Sequence, residues 1–206
     1  MKMRTDIADN LHQELSTALN NINILSEMAR IKTDKEPQKS KEYIEQIHSK
    51  SNNMIVAMDD MLWSISPNND SMKKTVERMR EYIDELQNQH GVVITMLVDQ
   101  KVNSLELNMK LRHESFLLFK EGIKSLVQCG MENCEIHLRQ EKNNLLLTIQ
   151  FKNASCNMQQ VYNLLHRTDM ERHLQIIGAN LDVEVHKTFS ILFLRVPISW
   201  APVRVK

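Results

Sequence analysis

In the first half of the chain the residue best equipped for chemistry is His12, within RTDIADNLHQELSTALNNINILSEMAR at residues 4–30. On a helix it lies next to Leu11 of an apolar seam, about 100° round the axis, and so on the flank of a bundle. A neutral imidazole there titrates near pH ~6.5 and keeps a lone pair for in-line attack on phosphorus. The same position equally suits an ordinary exposed helix histidine. The following residue, Gln13, can hydrogen-bond the ring but cannot act as a base. Glu14 points about 200° away, whereas Asp9, three residues back, is only about 60° off in azimuth. Asp9 is therefore the candidate orienter of the ring.

What is scarce elsewhere excludes much. The 206 residues include only four glycines, Gly91, Gly122, Gly130 and Gly178, where average usage would give about fourteen. Loops that cradle phosphate through backbone N–H groups need several closely spaced glycines, and no such cluster exists. Cys129, Cys134 and Cys156 have no paired metal-type spacing and read as reduced, mostly buried thiols. The other histidines (His48, His90, His113, His137, His166, His173, His186) share no ligand spacing and read as surface or partly packed residues, so no metal site is expected. Lys plus Arg and Asp plus Glu balance at 26 each, which disfavours a nucleic-acid binder. No apolar run reaches the ~18 residues of a membrane span, and the charged start MKMRTDIADN has no signal core. A helix that begins this early suggests a piece of something longer upstream.

The elements that must position these residues follow from periodicity. Leu11, Leu15, Ala18, Ile22, Leu25 and Ala29 step by fours and threes within a helix over about 5–32. TDKEP at 33–37 is a turn, and a second helix over 38–63 carries Ile44, Ile47, Ser51, Met54, Met58, Met61 and Ile65 at the same period. An antiparallel hairpin of this kind leaves about half of each stripe wet. Two copies forming a four-helix bundle would cover it, so a homodimer is expected; the alternative is a hairpin packed on the rest of its own chain. Thirteen methionines mostly fill such core positions, and Trp63 reads as packing at the hairpin base.

SISPNND at 64–70 breaks the pattern and marks a boundary between domains at 1–66 and 67–206. Beyond it we expect a helix over 71–90 ended by Gly91, a strand over 92–99 and a long helix over 107–129. A β-hairpin over 134–140 and 144–153, short helices over 158–166 and 169–179, and two closing strands complete the chain. The fold class expected is α+β: a helical hairpin, then an α/β sandwich with one layer of helices on a mostly antiparallel sheet.

The 4–30 stretch resembles the phosphoacceptor helix of two-component sensor histidine kinases of the nitrate-sensor-like subgroup. MDDMLWSISPNNDSMKKTVERMREY (58–82) resembles the junction between their hairpin and ATPase domain, and FKEGIKSLVQCG (119–130) their first ATP-site helix, usually Lys-Glu-Ala-x-Asn-Asn-x-x-Lys-His. The resemblance covers essentially the whole chain in order. It implies a dimerisation and phosphoacceptor hairpin with His12 as acceptor, followed by a GHKL-type ATPase domain. Ser16 and Thr17 fall where related proteins carry phosphatase residues.

The resemblance also implies an ATP site, and its parts are altered here. Glu121 remains after Lys120, but the Mg²⁺-holding Asn is Ser125, a poor ligand alone. The adenine-binding Asp falls at Phe151 or Lys152, and the turn glycines become Asn153 or Ala154 and Ser155 or Cys156. No glycine lies between Gly130 and Gly178, so the phosphate lid is missing as well. Phosphoryl transfer relies on positioning and electrostatics, which these replacements remove. Neither ATP nor Mg²⁺ is expected to bind.

The function expected is bacterial two-component phosphorelay. His12 takes a phosphoryl group from a separate kinase or a phosphorylated response regulator and relays it to the aspartate of a receiver domain. Two alternatives stand beside it, an active sensor histidine kinase with an atypical ATP site and a non-catalytic pseudokinase scaffold. The expected location is the cytoplasm, either free or as the cytoplasmic part of a membrane-anchored sensor.

Overall fold

The computed structural model describes residues 2–152, 158–166 and 168–199, with the side chains of residues 2–14, 168 and 169 set aside. The chain separates into two compact units, Met1–Asn68 and Asn69–Lys206.

The first unit is a pair of helices, α1 (Lys2–Lys32) and α2 (Pro37–Ile65). Helix α1 contains no proline or glycine and ends with Arg30 and Lys32 in its last turn, where cations complement the macrodipole. Pro37 opens α2, at a position where its missing N–H costs nothing. At the bend the two helices approach over small residues: Ser40 donates its hydroxyl to Ala29 O at 2.9 Å, and both residues are buried. Glu36 lies between Lys32 and Lys39 and pairs with both. Their hydrogen bonds pull its carboxyl down to about 2. Along the hairpin, Leu15, Ala18, Ile22 and Leu25 of α1 and Ile47, Met54 and Ile65 of α2 are half-buried, while Ala29 and Met61 are buried. Ile44 and Met58 of the second seam are exposed.

In the second unit, α3 (Met72–His90) starts at Ser71, whose hydroxyl accepts from Lys74 N. It stops at Gly91, which adopts the left-handed φ of 67° that glycine tolerates best. Strand β1 (Val93–Val98) and a 3₁₀ turn (Gln100–Ser104) precede α4 (Met109–Gln128). Asn108 caps α4 by accepting from Leu111 N at 2.9 Å, so this helix starts two residues later than its apolar pattern suggests. Then follow β2 (Asn133–Glu141), β3 (Asn144–Lys152), α5 (Met158–Leu165), α6 (Thr168–Ile177), β4 (Asn180–Val185) and β5 (Phe189–Pro197).

The sheet order is β1-β2-β3-β5-β4. Among the described residues only the β1–β2 pair is parallel. Alternation puts Ile94, Met96, Ile136, Leu138, Leu147, Ile149, Phe151, Leu192 and Leu194 on one face, where they join the core. Helix α3 contributes Met72, Val76, Met79, Ile83 and Leu86, one residue per turn, and α4 contributes Phe116, Phe119, Ile123 and Leu126. Helix α4 is also buried through four consecutive polar positions, Arg112 to Ser115, because helices flank it as well as the sheet. Arg112 satisfies its charge by donating to Leu107 O and to Asp70, which ties the start of α4 to the entry of α3. The β1 edge is blunted from α3: Gln87 accepts from Ile94 N at 2.9 Å and Arg80 reaches Met96 O at 3.5 Å.

Candidate functional site

Asp9, His12 and Gln13 all fall on α1, seven, ten and eleven residues past its first residue, Lys2. Their side chains lie outside the described residues, so the structure places them on the helix and no further. Ser16 is half-buried and Thr17 exposed on the turn that follows.

The second expected cluster lies on α4, one turn apart. The Glu121 side chain is 43% exposed, and Lys124 Nζ stands 3.7 Å from it. Ser125 is buried. Lys120, the residue before Glu121, sits over the rings of Tyr82 at 5.3 Å and Phe116 at 5.5 Å, where its charge serves packing between α3 and α4. At the end of β3, Phe151 is in the core and Lys152 is exposed. The turn positions Asn153, Ala154, Ser155 and Cys156 lie outside the described residues.

Between β3 and β4 the described residues form α5 and α6. Val161, Leu165, Met170 and Ile177 are buried in the core. Glu114 of α4 and His173 of α6 meet at 2.7 Å with 11% and 17% side-chain exposure. This pair spans 59 residues and has no local spacing signal, so a sequence reading that treated His173 as surface or loosely packed could not find it. The Asp99–His137 pair, 38 residues apart and 2.8 Å long, is hidden from sequence in the same way. Cys129 and Cys134 are buried, and burial pushes the Cys134 thiol up to about 12, which leaves it protonated and unreactive at neutral pH. Among the described residues, no group of three or more His, Cys, Asp or Glu is arranged to hold a metal ion.

No family model matches the sequence, and comparison with curated proteins gives no significant match. Solved structures do match. The blue-light activated histidine kinase EL346 of Erythrobacter litoralis superposes with a TM-score of 0.53 at 12% identity, over 93% of this chain and 60% of that one. The chain has the fold of a histidine-kinase core. At this identity the likeness is one of fold, and the chain spans 60% of the EL346 structure's length. Histidine kinase AdeS of Acinetobacter baumannii gives a TM-score of 0.49 at 9% identity, over 90% of this chain and 97% of that one. The catalytic domain of histidine kinase ThkA gives 0.49 at 8%, over 64% and 96%. Within this histidine-kinase fold, α1 and α2 form the helical hairpin, and α3 to β5 form the α+β unit with its five-stranded mixed sheet. Among the described residues no helix is long and apolar enough to cross a membrane.

Proposed function

We propose that this chain is a homodimeric phosphotransfer protein that works through His12 and has given up ATP. The observation that carries the reading is the contrast between its fold and its site. A histidine-kinase fold is retained, yet residues 158–165 and 168–177 are helices with apolar faces in the core instead of a glycine-rich wrap. Glu121 beside Lys124 and the buried Ser125 supply no evident Mg²⁺ grip, which supports the same view.

The reaction needs only an exposed imidazole and a docked donor. The His12 ring nitrogen attacks phosphorus in line, and the P–O bond of a phosphoaspartyl donor (or the P–N bond of a donor kinase's phosphohistidine) breaks as that side chain leaves. Transfer to the aspartate of a receiver domain is the reverse step. Dimerisation is supported by α2. Ile44, Ile55 and Leu62 are each more than half exposed. Spacings of 11 and 7 residues bring all three within about 20° of one line along the helix. That line lies about 100° from Met54 and Met61, which turn toward α1, so it forms the adjacent flank that a second hairpin would cover.

The test is incubation of the full chain with a phosphorylated receiver domain and, separately, with Mg-ATP. The expected result is acid-labile phosphate on His12 from the receiver, none from ATP, and loss of labelling in His12→Ala. Micromolar Mg-ATP binding by calorimetry with autophosphorylation would establish a kinase instead. Full signalling by His12→Ala would leave a scaffold.

A further inference from the structure

The sheet face turned away from the helix layer carries a second histidine arranged for chemistry. We propose that His137 is a phosphoryl-accepting residue that takes the group from a small activated donor, an acyl phosphate or a phosphoramidate. Asp99 follows β1 and precedes the 3₁₀ turn, where its side chain makes no capping bond. Its Oδ1 instead lies 2.8 Å from His137 Nε2. An ionised carboxylate can only accept, so Nε2 carries the proton and Nδ1 of the neutral ring holds the lone pair. A third group that fixes tautomer and orientation is the standard requirement for an imidazole that must react.

Position and surroundings agree. Cys134, Ile136 and Leu138 of β2 are buried under the helices, so Glu135, His137 and Arg139 take the opposite face. The His137 side chain is 34% exposed. Arg139, two residues on, stands on the same face with its Cα about 7 Å along the strand, and a guanidinium is a group suited to receiving a phosphate. Thr148 faces His137 in register from β3. His48, His166, His173 and His186 lack part of this arrangement. His173 has its carboxylate but lies in the helix layer. His166 and His186 stand 3.8 and 3.9 Å from theirs, beyond hydrogen-bond length. His48 contacts the Asn52 amide, which leaves its tautomer open.

In the step, the Nδ1 lone pair forms the new P–N bond while the donor's P–O bond breaks and its carboxylate departs. With phosphoramidate, whose nitrogen is already protonated in its zwitterionic form, the donor P–N bond breaks and ammonia departs with that proton. The Nε2 proton stays in place, and Asp99 offsets the positive charge that develops on the ring. No proton, electron or further reactant is required.

The experiment treats the full chain with potassium phosphoramidate and, separately, with acetyl phosphate, then maps acid-labile phosphate by mass spectrometry. Wild type, His12→Ala and Asp99→Asn are compared at matched far-UV circular dichroism. The expected result is that His137 labels at least about tenfold faster than His48 or His90 in wild type and in His12→Ala, and that Asp99→Asn removes about tenfold or more of that rate. Labelling of His137 no faster than of those surface histidines, or a rate unchanged in Asp99→Asn, overturns the proposal. His12 occupancy is read at its own peptide, so the two histidines succeed or fail separately.

Discussion

The two units solve the burial problem differently. From Asn69 onward most large apolar side chains are enclosed: Phe119, Ile123, Leu126, Ile136 and Ile149 are all within 1% of full burial, closed between sheet and helices, although Val93 and Val185 at the sheet edges stay more than half exposed. In the hairpin most of the seam is only half-covered, and Ile24, Ile31, Ile44, Ile55, Val56 and Leu62 are more than half exposed. A sheet with a helix layer encloses its core with its own chain, whereas two helices have only one mutual face. The C-terminal unit therefore carries its stability internally, and the hairpin keeps apolar surface that calls for a partner.

The largest effect expected from this contrast is at the exposed flank. Ile55→Glu combined with Leu62→Glu would put four charges into the two-fold interface proposed above, and each lost Ile or Leu burial is worth about 1.5–3 kcal/mol. Dimer affinity should fall at least about a thousandfold, read by light scattering across a dilution series, while thermal unfolding of the C-terminal unit stays where it was. An unchanged mass would show that the flank is not the interface. Phe119→Ala is the opposite probe. It removes a fully buried ring and should cost about 3–5 kcal/mol in denaturant unfolding of the C-terminal unit, with the hairpin's association preserved. A cost below ~1 kcal/mol would mean that this core is looser than its burial indicates.

The smallest effect is a gain. Gly122 sits inside α4, and a Cβ added there would meet nothing within 4 Å. Gly122→Ala should stabilise the C-terminal unit by about 0.5–1 kcal/mol through helix propensity and lower unfolded-state entropy. A destabilised variant would reveal crowding around α4 that the geometry does not contain.

Legibility in the sequence followed the range of the interactions. Heptad spacing announced α1 and α2, Gly91 the end of α3, and apolar alternation β2, β3 and β5, because each pattern reflects backbone geometry repeated over a few residues. The capping of α4 by Asn108 moved its start past Leu107 because a local side-chain bond outweighed the apolar pattern. The α4 cluster was only half legible. Sequence located Glu121 and Ser125, but the exposure of Glu121 beside Lys124 and the burial of Ser125 depend on what packs around α4.

By itself, then, the sequence determined which segments are helices and strands, that glycine is scarce and unclustered, and where His12 sits on its helix. Tertiary structure alone decided that β1 joins β2 in parallel, that β5 lies between β3 and β4, and that His137 and His173 each meet a carboxylate. These outcomes bring together residues dozens of positions apart. Such pairings are set by the path of the whole chain as it closes its core, and no local periodicity encodes that path.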